Sequence, residues 1–200
     1  MQKPLKTKIK SHPHIPLWSN QPLKKTLEKA LSAPVILEND AALAGLGEAI
    51  YGAGKNYNII AYLTISTGVG GVKIENKKID ENSLGFEPGF QIMNNDGLTL
   101  EDLVSGFGLE KRFGKKGEDI IDPMVWDEVA KNLAVGIYNT ILYWSPNVVI
   151  LGGSVIKSLD LEKIKNYLQE ANEILPELPE IKKAELGDSS ALWGALAYII

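Results

Sequence analysis

Apolar and polar positions alternate in distinct blocks along the 200-residue chain. In Pro22–Leu31, leucines at 23, 27 and 31 have helical spacing. PVILE (34–38) reads as a short buried strand. Asn39-Asp40 follows, then AALAGLGEAIYG, which predicts a helix with Asp40 where an N-cap would sit. NIIAYLTI (58–65) and GVKIEN (71–76) predict a hairpin, with KKID adding a third strand. Residues 82–98 read as loop, and 98–113 as short helices broken at Gly106 and Gly108. Asp122–Trp144 is a long amphipathic pattern with Pro123 at its start. NVVILGG (147–153) is a buried strand ending in two glycines. Leu159–Leu175 is helical, IKKAEL (181–186) is a short strand and residues 190–200 form a closing apolar helix. Residues 1–22, rich in Pro and Lys, read as an extended arm.

This order predicts an α/β fold, a mixed sheet flanked by helices. The later strand–helix alternation implies parallel neighbours joined by right-handed crossovers. In such sheets ligands gather at the carboxyl ends of strands. Asp40, the Thr67 turn and Gly152-Gly153 each follow a predicted strand, so the three form a constellation. Taken alone, the small-residue core Ser66–Gly71 has two readings. Its glycines could supply positive φ for a hairpin turn, or let backbone N–H groups approach an anion.

Composition narrows the class. The chain is 44% hydrophobic and 23% charged, as soluble globular proteins are. A net charge of −4 supplies no electrostatic reason for nucleic acid binding. The absence of cysteine removes disulfides and thiolate metal sites, and fits a reducing cytoplasm. No apolar run approaches the roughly 20 residues of a spanning helix. The N-terminus lacks the apolar segment of a signal peptide. His12 and His14 alternate in the arm with no third metal ligand near in sequence, and read as exposed, as do the lysines at 3, 6, 8 and 10.

Six segments resemble the ROK family of sugar kinases and repressors. ENDAALAGLGEA (38–49) resembles its E-N-D-A-x-x-A-x-x-G-E segment, and LTISTGVGGV (63–72) its phosphate-contacting turn, usually G-T-G-V-G-G. FEPGFQI (86–92) is similar to its E-x-G-H segment, and LEDLVSG (100–106) to C-L-E-x-x-x-S-G. PNVVILGGSV (146–155) resembles the nucleotide-side glycine pair, and LGDSSALWGAL (186–196) the entry to the last helix. The resemblance implies an actin-like ATPase fold of RNase H-like type, mainly the C-terminal lobe of a two-lobe sugar kinase. Residues 1–37 would be an arm and remnant of the preceding lobe, and 38–200 the ROK-type domain.

The implied function is ATP-dependent phosphorylation of a hexose or N-acyl-hexosamine, with Mg²⁺ bridging the phosphates. Asp40 would be the general base, and Asn39, Glu87 and Glu101 would hold the sugar. Thr67, Gly68 and Gly70 would face the phosphates, with Gly152 and Gly153 near the adenosine. Carried over residue by residue, the pattern also breaks. The family's D-x-G-G-T turn does not occur, and Phe90 stands at its histidine position. With no cysteine either, zinc is not expected. The alternatives are an inactive lobe serving as a sugar-binding or protein-interaction module, and half of a split kinase whose N-terminal lobe is separately encoded. The family's habit of pairing through this lobe implies a homodimer.

Overall fold

The computed structural model describes residues 21–82 and 85–199, so the arm with both histidines lies outside the described residues. The chain divides into two compact units, residues 1–39 and 40–200.

In the first unit, α1 (Leu23–Leu31) ends at Ser32, whose φ of +51° turns the chain out of the helix. The strand expected over 34–38 is not formed. Side chains of α1 take the polar groups a ladder would have used. The Val35 N–H donates to Glu28 Oε1 at 3.3 Å, and its carbonyl accepts from Lys24 Nζ at 2.6 Å. Asp40 therefore does not follow a strand.

The second unit opens with α2 (Asp40–Tyr51) and the hairpin of β1 (Ile59–Ile65) and β2 (Val69–Glu75), followed by β3 (Lys78–Ile79). Then come α3 (Leu100–Val104), α4 (Gly106–Phe113), α5 (Pro123–Trp144), β4 (Val148–Gly152), α6 (Leu161–Ala171), β5 (Glu180–Lys183) and α7 (Ser190–Ile199). The described strands form one sheet in the order β3-β2-β1-β4-β5. The first three are antiparallel, while β1–β4 and β4–β5 are parallel, as the strand–helix alternation implies.

Period-two alternation divides β1 between two cores. Ile60 and Tyr62 face α2, together with Val72, Ile74, Val148 and Ile150. Ala61, Leu63 and Ile65 face the opposite layer with Leu133 and Ile137 of α5 and Ile164 of α6. Burying each large aliphatic contributes about 1.5–3 kcal/mol. Among the described residues, no helix is long and apolar enough to cross a membrane.

Several boundaries differ from the sequence reading, among them the end of β5, at Lys183 rather than 186. β2 begins at Val69, so Gly70 and Gly71 are ladder residues opposite Thr64 and Leu63. The helical region breaks once, at Ser105, whose Oγ caps α4 by accepting from the Gly108 N–H at 2.9 Å; Gly108 itself is helical. α6 is shorter than 159–175. A 3₁₀ turn occupies Val155–Ser158 before it, and Asn172 bonds both backbone groups of Leu175 after it.

Glu48 ties this unit together. Its carboxylate is fully buried in α2 and accepts from the amides of Ala53, Glu185 and Leu186 and from Ser190 Oγ, at 2.8–3.3 Å. It thereby fixes the approach to α7, which lies close enough to α2 that a Cβ on Gly194 would sit 1.7 Å from the Leu43 carbonyl oxygen. Glu48→Gln turns an –NH₂ toward these donors and strands at least one of them. The cost is about 3 kcal/mol, which at this chain length lowers the melting temperature by roughly 6–12 °C. Calorimetry checks it.

Candidate functional site

The carboxyl ends of β1 and β4 open into a cleft of about 520 Å³ within the second unit. Asp40, Ala41, Tyr62, Thr64, Ser66, Gly152, Gly153, Lys157, Lys183 and Asp188 are among the residues lining it. Asp40 is the first residue of α2 and exposed; its Oδ1 accepts from the Ala41 N–H at 2.9 Å. The positive end of the helix dipole favours a carboxylate there.

Gly153 leaves β4 with φ +95°, a conformation open to glycine but costly for side chains. A Cβ on it would lie 2.2 Å from the Ile65 carbonyl oxygen, so the two strand ends touch through this glycine. A Cβ on Gly152 would lie 2.4 Å from the Tyr62 hydroxyl. Backbone, rather than side chain, therefore forms this wall of the cleft.

A second group of candidates surrounds the start of β2. A Cβ on Gly70 would meet the Ala41 Cβ at 3.1 Å, so the strand lies against the first turn of α2 beside Asp40. A Cβ on Gly71 would meet Pro88 Cγ at 2.7 Å, and one on Gly89 would meet the Val69 carbonyl oxygen at 2.4 Å. Pro88 and Gly89 are thus buried on β2, which places Glu87 at the edge of this contact with an exposed side chain. Glu101 comes from the other side, from the first turn of α3, where Thr99 and Asp102 form a capping box. Its Oε2 accepts from the Val69 N–H at 2.8 Å and lies 2.6 Å from where a Gly68 Cβ would be.

Glu101 therefore touches the start of β2 directly, while Asp40 and Glu87 each adjoin a residue, Ala41 and Pro88, that packs on Gly70 or Gly71; no sequence spacing encodes these contacts. Asn39 is exposed at the end of the first unit. The turn Ser66–Gly68 is closed by the Ser66 N–H donating to the Gly68 carbonyl at 2.9 Å. Neither Gly68 nor Gly70 has positive φ, so the turn does not need them for backbone conformation. They are small because Glu101 and Ala41 press against them. Thr67 is exposed, and its carbonyl accepts from the Phe107 N–H. The turn residue that lines the cleft is Ser66, which the sequence reading did not single out; Tyr62, Lys157, Lys183 and Asp188 were missed too. Among the described residues, no cluster of three or more His, Cys, Asp or Glu is arranged to hold a metal ion.

Tyr62 forms part of the cleft wall. Burial, with added repulsion from the Glu48 and Asp40 charges, pushes its phenol up to about 12 from 10.0. The hydroxyl therefore stays protonated, as a donor, at neutral pH. Between pH 10 and 12 the unfolded chain releases a proton that the folded chain keeps, so stability falls with rising pH in that window. The loss is on the order of 2 kcal/mol at the upper end. Denaturant melts at pH 9 and 12 should show Tyr62→Phe losing less stability than the parent by about that amount.

Comparison with known proteins is concordant. The ROK family model matches residues 3–200. An uncharacterized protein of Clostridium perfringens is 34% identical over 186 residues, which cover 80% of this chain and 62% of that protein. A fructokinase of Pediococcus pentosaceus is 29% identical over 199 residues, 90% of this chain and 69% of the enzyme. The crystal structure of a ROK hexokinase from Thermus thermophilus superposes with a TM-score of 0.76 at 29% identity, covering 94% of this chain and 72% of that one. The chain thus spans about two thirds of the length of the relatives it matches. The fold is the actin-like ATPase fold of the ROK kinases.

Proposed function

The chain belongs to the ROK family, and from that premise we propose that it is the C-terminal lobe of a sugar kinase transferring phosphate from ATP to a hexose or N-acyl-hexosamine. The observation that carries the reading is the cleft of about 520 Å³ shared by Asp40 and the Gly152-Gly153 pair. It joins a carboxylate to a bare backbone wall at the ligand-binding end of a parallel strand pair.

In this reading the Asp40 carboxylate accepts the proton of the sugar hydroxyl as the new O–P bond forms and the bond to ADP breaks. Asn39, Glu87 and Glu101 bind sugar hydroxyls, since a carboxylate can accept from two at once. The Val69 N–H already engages one Glu101 oxygen, so that residue both braces the turn and presents its other oxygen. Thr67, Gly68 and Gly70 flank the phosphates, and Gly152 and Gly153 flank the adenosine. Asp188, the other carboxylate on the cleft wall among the described residues, would hold Mg²⁺ together with substrate phosphates, which leaves Asp40 to act as the base. When bound, that ion neutralises phosphate charge.

The surface of α7 supports a second lobe as partner, whether on the same chain or separately encoded. Leu192, Trp193, Leu196 and Ile199 are 42–74% exposed, a large apolar face for a lone domain. Phosphoryl transfer depends on positioning the phosphate from both sides. The 200-residue chain alone should therefore turn over far below the usual kinase range of about 1–100 per second. Calorimetric titration with AMPPNP and a panel of hexoses and N-acyl-hexosamines tests the reading at the level of binding. Saturable binding of the nucleotide and of at least one sugar supports it, and binding of neither contradicts it.

A further inference from the structure

Ser66 and Ser154 come from strand ends 88 residues apart in sequence, and their hydroxyl oxygens lie 3.2 Å from each other. Each is set by its backbone. The Ser66 N–H donates to the Gly68 carbonyl, and its own carbonyl accepts from the Gly106 N–H at 2.7 Å. Only its hydroxyl is left to meet a ligand. Ser154 follows Gly153, whose φ of +95° aims the chain back over the end of β1. Its carbonyl accepts from the Lys157 N–H at 3.2 Å. Ser66 and Lys157 line the same cleft.

Two hydroxyls at this distance hold one hydrogen between them and keep one to donate outward. When both rotate toward an anion, each donates to it, which a single serine cannot do. The exposed Lys157 contributes positive charge on the same wall. We propose that Ser66 and Ser154 form a two-hydroxyl clamp on the phosphate chain that enters this cleft, assisted by the Lys157 charge. The clamp rests on the nucleotide reading of the cleft and deepens it: the contacted chemistry is a phosphate chain, carried by a nucleoside triphosphate or by an inorganic polyphosphate.

The test is calorimetric titration of the full chain with three probes, AMPPNP, inorganic tripolyphosphate and AMP. The variants are Ser66→Gly, Ser66→Ala, Ser154→Ala and the Ser66→Ala/Ser154→Ala pair, with circular dichroism on each. Each single variant should weaken AMPPNP about tenfold, the usual scale for a hydrogen bond to a charged group. AMP should bind as before, and the double variant should lose less than the product of the single losses, because the hydroxyls act as a unit. Equal weakening of tripolyphosphate identifies the bare phosphate chain as sufficient; tripolyphosphate that never binds identifies the nucleotide as the carrier. Both agree with the clamp. AMPPNP affinity unchanged in folded Ser66→Gly and Ser66→Ala overturns it and leaves the nucleotide reading standing. Equal weakening of AMP also overturns it, by showing that the serines shape the cleft rather than hold phosphate. A parent chain that binds none of the probes overturns both.

Discussion

Asp40→Asn should lower kcat by on the order of 10²–10⁴-fold, with the sugar KM little changed, once the chain is assayed in an active assembly. The fold has little to lose. Asn keeps an Oδ1 to accept the Ala41 N–H, which Asp40 now accepts at 2.9 Å, and gives up only the carboxylate's attraction to the helix dipole, about 0.3–1 kcal/mol. What disappears is the proton acceptor, and general-base loss has this magnitude. Glu87→Gln and Glu101→Gln should instead raise the sugar KM, because contacts made equally in ground and transition states show up there. Glu101→Gln carries an additional structural effect, since its Oε2 also holds the Val69 amide. Steady-state kinetics on the three variants separates the roles. Near-full kcat in Asp40→Asn would reduce Asp40 to a helix-end residue.

Gly153→Ala should be the most damaging single-methyl change at the cleft. The added Cβ meets the Ile65 carbonyl oxygen at 2.2 Å in a backbone conformation of φ +95°. Both obstacles are backbone, so no rotamer change relieves them. The cost is about 3 kcal/mol or more, and the melting temperature should fall by roughly 6–12 °C. Gly187→Ala is the matched control. It also lines the cleft and has φ +55°, but a Cβ there meets nothing within 4 Å. It should cost only the left-handed strain, about 1 kcal/mol. Equal losses in the two variants would show that φ alone, and not the contact between the β1 and β4 ends, sets the requirement for Gly153.

Local pattern accounts for most of the fold. The apolar run over Ile59–Ile65 and the buried run Val148–Gly152 marked two strands, which the structure pairs in parallel at the centre of the sheet. The apolar spacing after Pro123 marked α5 to its last turn. PVILE misled because a short apolar run shows only that a segment is extended or buried. Whether it joins a ladder depends on partners, and here Lys24 and Glu28 took Val35's polar groups. The glycines of the hairpin were legible as glycines, but their cause was not. Gly70 and Gly71 are small because α2 and Pro88 approach them. The same limit applies to the site. Asp40 and Gly152-Gly153 were legible through motifs, and they share a cleft. Ser66 and Lys157 were not, because the parallel pairing of β1 with β4 alone brings their segments together. Glu48 stood inside a recognised motif, yet its partners at Glu185, Leu186 and Ser190 lie at the other end of the sequence.

The central claim is phosphate transfer from ATP to a sugar with Asp40 as base. The most direct measurement follows sugar phosphate by ³¹P NMR, with ATP, Mg²⁺ and a panel of hexoses and N-acyl-hexosamines. It is run on the chain joined or mixed with an N-terminal lobe carrying D-x-G-G-T. The account predicts ATP-dependent formation of at least one sugar phosphate, lost with Asp40→Asn and weak or absent for the 200-residue chain alone. No sugar phosphate from any member of the panel, with a folded assembly that binds AMPPNP, would contradict it.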